Sequence, residues 1–66
     1  MEPSSERERE IANRVDSKAK AIAEGQGYWG DNIITEMKVA VPFVMSGSEL
    51  DFLERYIACK RDTPQA

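Results

Sequence analysis

Lys38-Val39-Ala40-Val41-Pro42-Phe43-Val44-Met45 is the stretch whose reading decides the fold. As a strand it continues an alternation in which Ile33, Thr35, Met37, Val39, Val41 and Phe43 face one way and Ile34, Glu36, Lys38, Ala40 and Pro42 the other. As a helix capped by Asp31 or Asn32, it places Ile33, Ile34, Met37, Val41 and Val44 on one face. The β-branched and aromatic residues favour the strand, and the residue before a proline is driven toward extended geometry. Residues 32–45 are therefore read as a short helix or strand, with a helix or turn over 32–37 followed by a strand over 38–45. Pro42 has no amide hydrogen to give to a ladder, so such a strand belongs at an edge or in a two-stranded ribbon.

Downstream, Ser46, Gly47 and Ser48 break the run, and a helix is expected over 48–61 with Ser48 as its cap. Glu49 and Asp51 suit the positive end of its dipole, and Lys60 and Arg61 the negative end. Leu50, Leu53 and Ile57 form one stripe, with Phe52, Tyr56 and Cys59 beside it, giving a broad apolar face. Residues 62–66 read as a tail. Upstream, residues 5–24 carry Ile11, Val15, Ala19 and Ile22 at helical spacing. Ser5 and Glu8 have capping-box spacing, and Glu10 with Arg14 and Asp16 with Lys20 have the spacing of intrahelical ion pairs. The alternating charges of residues 6–10 are expected to project into solvent.

Between these helices lies a glycine and aromatic loop over 25–31. Gly25 is placed to end the first helix in the left-handed conformation. Gly25-Gln26-Gly27-Tyr28-Trp29-Gly30 matches G-x-G-x-x-G, but that fingerprint holds a dinucleotide only where a strand feeds the glycines and a helix follows in a βαβ unit. Here a helix precedes them, so the loop is not read as a cofactor site. Tyr28 and Trp29 are either tucked beneath the core or displayed for a partner.

Length and composition bound what these elements can build. At 66 residues a chain buries only about 60% of its unfolded surface, so cores of this size are commonly reinforced by disulfides, metals or oligomerisation. One cysteine and no histidine leave oligomerisation. The fold class expected is small α+β, helix–loop–short strand–helix, homodimeric. The alternative is all-α, three short helices forming a dimeric helical hairpin. Val39, Val41, Leu50, Leu53 and Ile57 are assigned to dimerisation, and Tyr28, Trp29, Phe43, Met45, Phe52 and Tyr56 to partner binding, although Phe43, Met45, Phe52 and Tyr56 also read as dimer core.

Chemistry is sparse. Without histidine the commonest general base is missing, as is the usual activator of a nucleophilic serine or cysteine. Cys59 on the apolar face of the last helix reads as a small buried hydrophobe. The carboxylates Glu49, Asp51 and Glu54 sit at a helix start without the loop that builds a calcium site. No enzyme activity, cofactor or metal is expected. The net charge of -3 has the wrong sign for bulk attraction to phosphate and argues against a nucleic-acid partner. The N-terminus has no apolar signal core, and no apolar run approaches the roughly 18 residues of a membrane span. A cytoplasmic location without membrane attachment is expected.

The run from Lys38 through Ser46, followed by Ser48-Glu49-Leu50 and Leu53, resembles the strand and first helix of the ribbon-helix-helix family over residues 38–57. The resemblance implies antiparallel pairing of strands from two subunits, and in that family side chains on one strand face enter the DNA major groove. In this sequence Lys38 is the one strand residue suited to such contact, no second helix is expected after Tyr56, and the net charge is negative. The resemblance thus supports a paired dimer more than DNA binding. The function expected is a small dimeric protein-binding regulator of the inhibitor or anti-activator type, like those encoded by phages and mobile elements. It would occupy a surface of a larger protein, itself a DNA-binding or regulatory protein, with acidic charge steering it toward a basic target. The alternative is a dimeric ribbon-helix-helix-like DNA-binding regulator using Lys38, Arg7, Arg14 and Lys18.

Overall fold

The computed structural model describes residues 2–62. Three helices follow one another: α1, Glu6–Ala23; α2, Ile33–Ala40; and α3, Gly47–Asp62. No strand occurs among the described residues, so the α+β expectation is overturned and the all-helical alternative fits. The expected tail over 62–66 lies outside the described residues except for Asp62, which closes α3.

The physical reason lies around Pro42. α2 runs through Ala40, three residues past Met37, because Ile33, Met37 and Val41 at helical spacing find a core to enter. Val41 then adopts φ -87° and ψ 149°, the extended geometry imposed on a residue before proline, and the helix stops. Residues 41–46 are non-helical and have no neighbouring strand within the described chain. Pro42 thus acts as a helix terminator.

Contacts at both ends show that α1 and α3 run parallel. Arg7 meets Glu49 near their starts, and Asp16 meets Tyr56 and Lys60 farther along. α2 and the residues after it return the chain antiparallel to α1, with Lys18 meeting Glu36 at one end and Arg7 meeting Phe43 at the other. The core between them consists of Ile11, Ala12 and Val15 from α1, Ile33, Met37 and Val41 from the return, and Phe52, Leu53, Tyr56 and Ile57 from α3. Ile11, Val15 and Leu53 are wholly buried. Val41, Leu53 and Ile57, assigned above to dimerisation, therefore already lie in the core of one chain.

Local chemistry fixes the helix ends. The Glu8 amide donates to Ser5 Oγ (3.1 Å), while the Glu8 carboxylate accepts from the Ser4 amide and hydroxyl (2.8 Å each), so the expected box closes on Ser4 rather than on the Ser5 amide. At the other end Gly25 takes φ +82°, its amide donates to Ile22 O and that of Gln26 to Ala21 O, the paired bonds of a Schellman cap. α3 is capped two residues earlier than expected. Ser46, not Ser48, makes the reciprocal box: the Ser46 amide donates to Glu49 Oε1 (2.7 Å) and the Glu49 amide to Ser46 Oγ (3.4 Å). Leu50 N–H also donates to Ser46 O (2.9 Å), the first helical bond of α3. The sequence Ser46-Gly47-Ser48-Glu49 has S-x-x-E spacing only from Ser46. Ser46→Ala should accordingly cost about 1 kcal/mol, and Ser48→Ala less than about 0.5 kcal/mol. Urea denaturation of the two variants checks the assignment, and the reverse order would refute it.

Candidate functional site

Beyond α2 the chain is non-helical, with bends at residues 41–43, and its side chains alternate in exposure along residues 41–46. Phe43 and Met45 turn inward and pack against the edge of the core, while Val44 between them is 90% exposed. Leu50, from the first turns of α3, also packs against the core edge. Together with Lys38 of α2, these residues line an apolar trough of about 270 Å³. Val39, next to Lys38, is 80% exposed. Val44 is thus displayed to solvent at the edge of an apolar concavity.

One side of this segment is tied down by Arg7. Its Nη2 donates to Val44 O (2.6 Å), its Nε pairs with Glu49 (3.2 Å), and its guanidinium lies 4.3 Å from the centre of the Phe43 ring. Arg7 therefore joins α1, the segment after Pro42 and the cap of α3 while its side chain stays half exposed, as the charge alternation suggested. Glu49 serves both its own helix cap and this ion pair. Arg14 pairs with Glu10 (2.6 Å), as the helix spacing suggested, and Lys18 pairs with Glu36 (3.3 Å). Three of the four basic residues assigned to nucleic-acid contact are thus ion-paired within the chain. Lys38 is exposed and makes no ion pair among the described residues.

The structure divides the six residues assigned to partner binding. Phe43 and Met45 line the trough. Phe52 and Tyr56 are buried in the chain's own core, their rings stacked with centroids 5.5 Å apart. Trp29 packs against the core, whereas Tyr28 is 78% exposed and lies over Gly30, whose hydrogen gives the ring its room. The two loop aromatics therefore do not act as a pair. Of the residues assigned to dimerisation, Val39 is exposed and Leu50, half-buried, lines the trough. Val44, which carries the highest exposure of the large apolar residues, was missed as a site residue. Its signal was present in the sequence: two-residue alternation beginning at Pro42 puts Val44 opposite Phe43 and Met45.

Cys59, expected to be buried, is exposed, because the core face of α3 ends at Ile57. Among the described residues no group of three or more His, Cys, Asp or Glu is placed to hold a metal ion. No helix among them is long and apolar enough to cross a membrane. The chain matches no protein-family model, no curated protein and no solved structure with which it was compared. Geometry and chemistry alone carry the functional reading.

A polar tie lies at the far end of α3 from the trough. Tyr56 Oη donates to Asp16 Oδ1 (2.9 Å), and Lys60 Nζ meets the same oxygen (3.1 Å) while standing 5.4 Å from the Tyr56 ring centre. Asp16 thus bonds across to α3 instead of to Lys20 on its own helix. Burial of the phenol, and then its bond to the Asp16 carboxylate, push the Tyr56 pKa above its ordinary value of 10.0. The bond to Asp16 and its charge likewise raise Lys60 above 10.5. Both groups hold their protons more tightly when folded, so their stabilisation is fully present below about pH 10 and is lost as pH rises through the folded values. Thermal melts from pH 8 to pH 12 should show stability falling above about pH 10, with a shallower fall in Tyr56→Phe. An equal slope in the variant would remove Tyr56 from the account.

Proposed function

We propose that this chain is a small protein-binding regulator that acts by occupying a surface of a larger protein. The observation that carries this reading is the trough of Lys38, Phe43, Val44, Met45 and Leu50, in which Val44 is 90% exposed. Apolar side chains that line a concave surface supply binding energy when a partner excludes water from them. Phe43, Met45 and Leu50 are braced from behind by the core and Phe43 is covered by Arg7, so little ordering entropy is lost when a partner arrives. The reading is of an inhibitor or adaptor working in the cytoplasm, because contact rather than chemistry is what the residues offer.

Self-association belongs to the same proposal. With Val41, Leu53 and Ile57 occupied in the core of one chain and Leu50 lining the trough, exposed Val39 is the residue of that set left to join two copies. The short chain makes this pairing a useful source of stability. Light scattering should then report a species near twice 7.4 kDa at high concentration. A species of 7.4 kDa would remove the dimer and leave the binding reading intact.

The decisive variant is Val44→Asp. Val44 is 90% exposed, so the substitution should leave helix content and melting temperature close to those of the parent. Capture of the partner from native host extract should fall by about tenfold or more, the effect of placing an unpaired charge in an apolar contact. Undiminished capture by a folded Val44→Asp chain would sink the proposal.

A further inference from the structure

Bulk charge and local charge disagree at this surface. The chain carries -3 overall, which by itself suggests a basic target. Phe43, however, is a ridge shared by two troughs: the apolar one beside Val44, Met45 and Leu50, and a wider one of about 400 Å³ between α1 and Pro42. The second is lined by Arg7, Arg9 and Asn13, with Glu6 and Glu10. Glu10 is taken up by Arg14, and Arg7 by Glu49. This leaves Arg9 in one trough and Lys38 in the other, both exposed and without an ion pair among the described residues, against the single carboxylate of Glu6. Glu24, Asp31, Glu54 and Asp62 line neither trough. The ridge is therefore flanked by two cations that make no ion pair among the described residues, Arg9 sharing its trough with Glu6 and Lys38 standing alone in the apolar one, a net positive surface in a molecule that is otherwise acidic.

We propose that the occupant of this two-trough surface is an acidic amphipathic segment of the partner protein. This rests on the protein-binding reading above. Apolar side chains of the segment enter beside Phe43, Val44, Met45 and Leu50, and its carboxylates are met by Lys38 on one side and Arg9 on the other. The apolar contacts supply most of the affinity, as they do where an amphipathic helix lies in a groove. The cations select sign: an acidic segment is attracted by Lys38 in the apolar trough and by Arg9 where Glu6 does not offset it, whereas a basic segment of the same apolar pattern is repelled by Lys38. Because both cations are exposed, the preference should weaken as salt is added.

The test uses the full chain, labelled with nitrogen-15, and two synthetic amphipathic peptides with the same leucine spacing. One carries glutamate at its polar positions and the other lysine. The acidic peptide should shift the amides of Lys38, Phe43, Val44 and Met45, and its affinity should fall about tenfold in the double variant Lys38→Glu with Arg9→Glu. Equal or tighter binding of the lysine peptide would overturn the proposal. Shifts at the amides of Phe43, Val44 and Met45 on raising protein concentration without peptide would assign the trough to a second copy and also overturn it. If neither peptide binds while Val44→Asp still loses the host partner, the acidic-segment proposal fails and protein binding at the trough stands. If Val44→Asp has no effect either, both fail.

Discussion

Parallel packing of α1 on α3 is the constraint to which the remaining structure answers. Two consecutive long helices joined by a short loop would lie antiparallel, so a parallel pair requires the chain to travel back along α1 before α3 begins. With 18 residues, α1 is about 27 Å long, and the 8 residues of α2 recover only about 12 Å of that. Non-helical chain can advance up to about 3.3 Å per residue, more than twice the helical rise, so residues 41–46, even with bends at 41–43, complete the return with few residues. A return made wholly of helix would have consumed as many residues as α1 itself. The extended segment is the geometrical consequence of the parallel pair, and Pro42 is the residue that enforces the change of geometry.

That economy also creates the surface. A helix in this position could bury a continuous stripe against its neighbours, but an extended segment turns every second side chain away from them. Phe43 and Met45 reach the core edge and Val44 cannot. The backbone of the segment is held from the α1 side, where Arg7 donates to Val44 O and covers Phe43. Its other side stays open to a partner. The same bonds therefore explain why the segment is positioned and why part of it is bare.

Energy and register have different sources in this molecule. The buried apolar residues of the three helices supply most of the stabilisation, since removal of apolar area from water is the dominant favourable term. That term has no direction and would tolerate sliding of one helix along another. Direction comes from polar ties at the two ends of the α1–α3 pair: Arg7 with Glu49 and Val44 O at one end, Tyr56 and Lys60 with Asp16 at the other. Each tie is partly exposed and contributes little by itself, in the range of about 0–1 kcal/mol for surface ion pairs. Together they favour a single register of α3 against α1.

Much of the local structure could be read from the residues. Ser5, Gly25 and the charges at the helix ends mark α1 and α3 because capping depends only on near neighbours in sequence. The stripe of Ile11 and Val15, and that of Leu53 and Ile57, follow from helical spacing alone. The run around Pro42 could not be resolved in this way, because its residues satisfy both periods and strand propensity expresses a sheet environment that a single chain must supply from elsewhere. Once α1 and α3 offered a core within reach of Ile33, Met37 and Val41, helix prevailed up to Ala40. The roles of Arg7 and Asp16 were likewise invisible, since their partners lie about 40 residues away. The sequence by itself determined the extent of α1 and the presence of a helix after Met45, and that residues 38–45 are rich in apolar groups. Only the tertiary structure decided which of these are used internally and which are displayed, because that depends on how far a nondirectional core extends and where long-range polar ties halt it.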